Sequence, residues 1–459
     1  MIGGQKLNEA LQSVNRVVWG IPTLFLILIT GIYLSWKTRF FQITHFGRAF
    51  RSFVSMLKPG GKSSDGVSPY QALCTALAAT VGTGNIAGVA GAISLGGPGA
   101  ILWMWICALL GMILKCAEAV LAVRFRQKNA DGEIVGGPMY MIEKGLGSRW
   151  RPLAVLYAFF GVVAAFGVGN ATQINAVISG IHSASETFGL ELGRTQDIVI
   201  AVFLAALIAV MFAGGAKRIG RVTEMLVPYA SLAYILLGVG VLLICRQRIP
   251  AALKAIFVGA FSPRAITGGM VGSILIVCRT GAARGIFTNE AGMGTASIAH
   301  AAARVKHPVE QGMMGIMEVF LDTIVICTVT ALVILCSGVP ILYGVDSGAE
   351  LTSEAFSQVY GGWVRVLIAL CLILFAIATV IGWGYYGLRC AQYLFGQNVF
   401  GLFIGLQVIT VILGAILKTG TVWLLAETVN GLMVIPNLIA LLGLSPQFIQ
   451  LVLDYKKAT

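Results

Sequence analysis

From Val17 to Gly443 the chain is a succession of apolar stretches separated by short polar connections. Stretches of about 18 or more residues are long enough to cross a hydrocarbon core of roughly 30 Å. The pattern predicts eleven helical spans, at 16–36, 70–97, 99–124, 153–182, 197–213, 223–244, 266–300, 312–337, 363–389, 398–417 and 421–443. Two of them, 70–97 and 266–300, are unusually long and interrupted by glycine. The first contains "AATVGTGNIAGV" (Ala78–Val89), with three glycines and an asparagine in mid-span. The second contains "CRTGAARGIFTNEAGMGTASIAHAAA" (Cys278–Ala303). If the first span is an extra element, 70–97 and 266–300 each open a set of five. An odd number of spans per set inverts its topology, the arrangement of inverted-repeat transporters. Close helix packing through small residues is the structural alternative.

Composition agrees with this pattern. The 459 residues are 57% hydrophobic and 11% charged, with mean hydropathy +0.87, whereas soluble domains are about a quarter charged. The Val17–Trp36 stretch is too long for a secretion signal, lacks a small-x-small cleavage pattern and leads into further spans, so it is read as a retained helix. The nine cysteines form no CxxC pair and lie mostly in apolar segments, as small buried hydrophobes do. The four histidines show no metal-ligand spacing. HExxH, GxSxG and nucleotide-binding motifs are absent, which argues against an enzyme and against ATP-driven transport. No filter motif or ring of like charge repeats as in a channel.

The net charge of +13 suggests nucleic acid, but its distribution suggests a membrane. Basic residues concentrate in alternate connections: Lys37, Arg39, Arg48, Arg51, Lys58 and Lys62 against Asp65; then Arg126, Lys128, Lys144, Arg149 and Arg151; then Lys217, Arg218 and Arg221; then Arg304 and Lys306. The intervening 183–196 and 338–362 connections are acidic. Basic loops face the cytoplasm, so the N-terminus is expected outside and the C-terminal tail inside a cell membrane. The 245–265 connection dissents, being basic yet external on this count. The Thr44–Leu57 segment has the pattern of either an interfacial amphipathic helix or a plain linker. The domains expected are 1–69 (extra helix and linker), 70–245 and 246–445 (two five-helix repeats), and 446–459 (tail).

Irregular backbone at membrane depth is tolerated only where it packs in protein or lines a polar cavity. A break at Val81–Asn85 would free amides at the start of one half-helix, suited to a carboxylate, and carbonyls at the end of the other, suited to a small hard cation. Thr83 and Gly84 are therefore candidate carboxylate ligands, unless Thr83 merely bonds back to its own helix. Gln173 can share a helical face with Asn170, whereas Asn175 points elsewhere. These amides suit a zwitterion, with interhelical bonding as the alternative. Thr379 and Trp383, spaced i, i+4, share a face, and a bulky indole there would limit pocket volume. Carbonyls of Ala78 and Val81 with the Thr379 hydroxyl offer hard oxygens without a carboxylate, a set better matched to Na⁺ than to a proton. The intramembrane acids are Glu118, Glu290, Asp322 and Glu427. Lys115 and Glu118, i, i+3, suggest a local pair, and Arg279 or Arg284 a partner for Glu290.

Several ordered motifs carry a family resemblance: "TALAATVGTGNIAGVAGAISLGGPGA", "GGPMYMIEKGLG" (Gly136–Gly147), "FGVGNATQINAV" (Phe166–Val177), "ARGIFTNEAGMGTASIAHAAA" and "ATVIGWGYYGLRC" (Ala378–Cys390). Over about residues 10 to 445 the chain resembles the alanine/glycine:cation symporter family. The resemblance implies an all-α polytopic fold of leucine-transporter type with one additional N-terminal helix. It implies uptake of L-alanine or glycine coupled to Na⁺, with no organic cofactor and no covalent chemistry. It supports Thr83, Gly84, Gln173 and Trp383 as substrate contacts. By analogy with the fold, Phe287, Asn289 and Met293 of the second break face the substrate. A proton-coupled carrier of another small neutral amino acid is the alternative within this class.

Overall fold

The computed structural model of the chain describes residues 11–15, 17–57, 67–130, 132–416 and 419–458. Lys58, Lys62 and Asp65 lie outside the described residues, as does the expected start of the first span at residue 16. In chain order the principal helices are α1 (Ile21–Lys37), α2 (Phe46–Met56), α3 (Pro69–Thr80), α4 (Ala87–Gly96), α5 (Ala100–Arg124), α6 (Arg151–Phe166), α7 (Thr172–Glu186), α8 (Arg194–Phe212), α9 (Gly215–Ile244) and α10 (Ile249–Phe261). They continue as α11 (Ile274–Asn289), α12 (Ser297–Ala301), α13 (Pro308–Val319), α14 (Thr328–Ser337), α15 (Ala349–Tyr360), α16 (Val364–Phe395), α17 (Phe400–Ile416), α18 (Thr419–Gly443) and α19 (Ser445–Ala458).

Among the described residues, seven helical stretches are long and apolar enough to cross a membrane. The α3–α4 and α18–α19 pairs pass the same test together but bend by 59° and 60°. The 266–300 stretch is not one unbroken helix: helix covers Pro263–Thr267, Ile274–Asn289 and Ser297–Ala301, and glycines at 268, 269, 292 and 294 between them adopt positive φ. A two-stranded hairpin, Gln127–Lys128 with Ile134–Val135, interrupts the otherwise helical plan. The 44–57 segment is helical, with Phe46 packed edge-on to Phe320 at 4.8 Å between ring centroids. The tail from 446 is the helix α19.

Local sequence explains the helix starts near the breaks. Ser68 and Gln71 form a reciprocal capping box at α3, with Pro69 in the first turn. His307 accepts from the Val309 N–H ahead of α13, again with proline first. Two helices are interrupted by π-helical turns: Gly167–Ala171 joins α6 to α7, and Phe320–Cys327 joins α13 to α14. Such bulges free backbone groups and re-aim side chains.

Burial separates an inner shell from an outer one. In α5, 83% of the most apolar window is buried, and in α16, 67%; in α8 and α9 the share is 28%, and around α17, 22%. The apolar faces of α8, α9 and α17 are among those left for lipid.

At its N-terminal end α1 meets α18, through Asn15 to the Thr428 hydroxyl (3.2 Å) and the Trp19 indole to the Glu427 carbonyl (2.9 Å). Beyond the other end of α1, Lys456 of α19 donates to the Thr38 carbonyl (3.0 Å). Helices α1 and α18 thus run side by side in the same direction, and the first and last described segments lie at opposite ends of α1. The basic 245–265 connection contains α10, with Gly259 against Gly99 at the start of α5. Its Arg248 donates to the carbonyls of Cys336 and Ser337 at the end of α14 (3.1 and 3.0 Å). A cation at a helix C-terminus is favourable there, a structural reason for a basic loop where charge bias alone expects none.

Candidate functional site

The first break separates α3 from α4. Val81 and Gly82 are extended (ψ 97° and −153°), and the Gly82 N–H, instead of closing a turn onto Ala78, donates to Asn85 Oδ1 at 2.9 Å. Hydrogen bonding resumes at Asn85 and Ile86, whose N–H groups donate to Gly82 and Thr83. The carbonyls of Ala78 and Val81 therefore end one half-helix, and the amides of Thr83 and Gly84 begin the other. The Thr83 hydroxyl does not bond back to its helix. It donates to Gln173 Oε1 (3.1 Å), while Gln173 Nε2 donates to the Val168 carbonyl in the π turn (3.1 Å).

Helix α16 lies directly against this break. A Cβ added at Gly82 would sit 2.6 Å from the Thr379 hydroxyl, and one added at Gly382 would sit 2.8 Å from the Ala79 nitrogen. Glycine at both positions allows the approach. The buried Thr379 hydroxyl has no protein partner among the described residues and faces Gly82 of the break. Of the expected ion ligands, Thr379 lies against Gly82, the residue next to Val81. Carbonyl and hydroxyl oxygens of this kind fit a small hard cation.

The second break follows Asn289. Glu290 adopts φ +54°, uncommon for a residue with a Cβ. The N–H groups of Gly292 and Gly294 donate to Glu118 Oε1 (2.9 and 3.1 Å), which also accepts from Asn437 Nδ2 (2.8 Å). Glu118 is therefore not the partner of Lys115. Lys115 instead pairs with Glu318 (2.9 Å), which also meets His300 (3.0 Å), all fully buried. Although Lys115 and Glu118 are close in spacing, α5 is flanked on different sides by α13 and by the second break. Nor is Glu290 paired with arginine: Arg284 pairs with Asp346 (3.1 Å) and lies 3.8 Å from Glu427. Glu290 accepts from the Trp383 indole (2.8 Å) and the Thr295 hydroxyl (2.5 Å).

The two breaks face each other, since a Cβ at Gly84 would lie 3.3 Å from Thr288 and 3.8 Å from Phe287. A polar chain also joins them. Asn85 Nδ2 donates to Asp322 Oδ1 (2.6 Å), Thr323 donates to Asp322 Oδ2 (2.7 Å), and Asn289 donates to the Thr323 hydroxyl (3.1 Å). Met293 is buried in the second break, its carbonyl accepting from Tyr157 (3.0 Å), whereas Phe287 is only half-buried and lines a cavity of about 330 Å³ with Trp19, Arg279, Arg284 and Glu427. Of the amides on α6–α7, only Gln173 reaches the break. Asn170 bonds Gln407 of α17, the interhelical role, and Asn175 is half-buried one face away. Asn85, Asp322, Thr323, Glu118 and Asn437 were not among the expected site residues. For Asp322 and Glu118 the available signal is the expense of a buried carboxylate, which demands partners without naming them.

A model of the sodium:alanine symporter family matches residues 4–459. The chain belongs to that family. It is 43% identical to the sodium/alanine symporter AgcS of Methanococcus maripaludis, over 95% of this chain and 94% of that one. It is 37% identical to the probable sodium/glutamine symporter GlnT of Bacillus subtilis, over 99% of this chain and 91% of that one. Among solved structures, MhsT in complex with L-phenylalanine superposes with a TM-score of 0.57 at 16% identity, covering 83% of this chain and 97% of that one. At that identity the likeness shows the fold, which is of leucine-transporter type. Membership of this family makes the protein a multi-pass membrane transporter.

Proposed function

We propose that the protein imports a small neutral amino acid, L-alanine or glycine, together with Na⁺. Alternating access would move one five-helix repeat against its inverted counterpart, with the N-terminus outside and the C-terminus cytoplasmic. The observation that carries this reading is the pair of broken helices, with α16 and Gln173 closing on them. The amides of Thr83 and Gly84 and the Thr83 hydroxyl receive the carboxylate, favoured by the positive end of α4. The open end of α11 and Asn289 face the ammonium, with Met293 and Phe287 around the side chain. Trp383 limits the volume, and Asn175 keeps a peripheral place. The carbonyls of Ala78 and Val81 with the Thr379 hydroxyl hold Na⁺, whose energy is spent because the ion and the zwitterion share one break.

The test is uptake of radiolabelled alanine into proteoliposomes under an imposed Na⁺ gradient and then an H⁺ gradient. Accumulation driven by Na⁺ supports the proposal, and uptake indifferent to Na⁺ but driven by H⁺ rejects the coupling. A specific observation favours that second reading: Asp322 and Glu290 are fully buried and held by neutral donors, with no ion pair to either among the described residues.

A further inference from the structure

The Trp383 indole is fixed from two directions. On one side its Cβ lies against Gly169 in the π turn between α6 and α7: a Cβ there would come within 2.7 Å of the indole Cγ. At the other end its N–H donates to Glu290 Oε1 at 2.8 Å. A buried indole N–H requires such a partner. Tyr386 adds an edge contact, 6.0 Å between centroids, without a polar hold.

Glu290 is built for holding. It occupies the left-handed region immediately after α11, a conformation that persists only where surrounding structure enforces it. Both carboxylate oxygens are used, Oε1 by Trp383 and Oε2 by Thr295 on the far side of the same break. Neither oxygen is taken by an ion pair among the described residues. One carboxylate thus ties the second break to α16, the helix whose Thr379, one turn earlier, meets the first.

We infer that Glu290 is a positioning residue for substrate size: it locks the Trp383 indole in place as the wall of the amino-acid pocket. The inference rests on the reading of Trp383 as that wall. Glu290 acts through the indole, so losing its hold lets the ring turn and admits larger side chains.

The experiment is competition by alanine, valine and leucine for radiolabelled alanine bound to purified protein, in a double-mutant cycle of E290Q and W383F. Glutamine keeps one acceptor oxygen for the indole N–H and turns its amide toward the Thr295 hydroxyl, which can accept, so E290Q exchanges a charge-assisted hold on the ring for a weaker neutral one. E290Q is expected to improve valine relative to alanine by about tenfold, the low end of what one methylene is worth in an apolar pocket. W383F also widens the pocket, and in its background E290Q is expected to change the ratio no further. An unchanged ratio in E290Q, or effects that add in the double variant, overturns the inference. Where E290Q does not accumulate as monodisperse protein, T295V, which removes the second donor to the same carboxylate, gives the readout. It is expected to shift the ratio in the same direction by less, and no shift overturns the inference. W383A separates the two levels. If W383A admits larger competitors but E290Q does not, the positioning role fails alone; if W383A leaves the profile unchanged, the pocket reading fails.

Discussion

Gln173 sits in the break as a single acceptor for one hydroxyl, with its own nitrogen already donated to Val168. Replacing it by leucine strands the buried Thr83 hydroxyl, a loss of about 1–3 kcal/mol. Because Gln173 is also a proposed contact of the zwitterion, Gln173→Leu removes a hydrogen bond to a charged group and is expected to raise the KM for alanine about tenfold, with folded protein still accumulating. Uptake kinetics beside size-exclusion profiles check this, and an equal loss of both would return Gln173 to a packing role. Gly82 makes a sharper case. Its φ of −148° is open to any residue, so Gly82→Ala tests space rather than backbone strain. The added carbon would press on the Thr379 hydroxyl at 2.6 Å. The half-saturating Na⁺ concentration is expected to rise severalfold, more than for Gly84→Ala, whose new carbon meets a Thr288 methyl at 3.3 Å and other carbons of Phe287 and Thr288 at 3.8 Å. Equal sodium dependence in the two variants would detach Thr379 from the ion.

At the scale of elements, spacing along one helix gives which side chains share a face but not what stands opposite. That is why Lys115 and Glu118 read as a pair and are not one. Lys115 looks to α13, and Glu118 caps the second break with Asn437. The breaks themselves were legible, because glycine and asparagine inside an apolar span are costly anywhere but a site. Asp322 was legible as a cost and not as a role. Its meeting with Asn85, 237 positions away, depends on the π turn at Phe320–Cys327, which leaves no mark in the sequence. The Lys115–Glu318 pair gives a stability prediction. Lys115→Met leaves a buried carboxylate without its cation and is expected to destabilise by about 3–5 kcal/mol, whereas Lys115→Met with Glu318→Gln recovers most of it. Thermal unfolding in detergent measures both, and a double variant no more stable than the single would show that the charge pair is not the unit.

Taken as a whole, the molecule constrains its own topology. Helices α1 and α18 start at the same end, where Asn15 meets Thr428 and Trp19 meets the Glu427 carbonyl, and both finish near α19. Two parallel helices, one near each chain end, require an odd number of crossings from the first to the last. The charge pattern is what predicts which end is cytoplasmic, and Arg248 of the dissenting loop has a helix terminus to serve. The expected arrangement places α19, with Lys456 and Lys457, inside. In right-side-out vesicles, external protease is expected to remove an N-terminal epitope tag and spare a C-terminal one, and detergent should expose both. Cleavage of the C-terminal tag alone would reverse the orientation and leave the odd count standing. Cleavage or protection of both would contradict the parallel packing of α1 and α18, because two helices crossing in the same direction cannot leave both chain ends on one side.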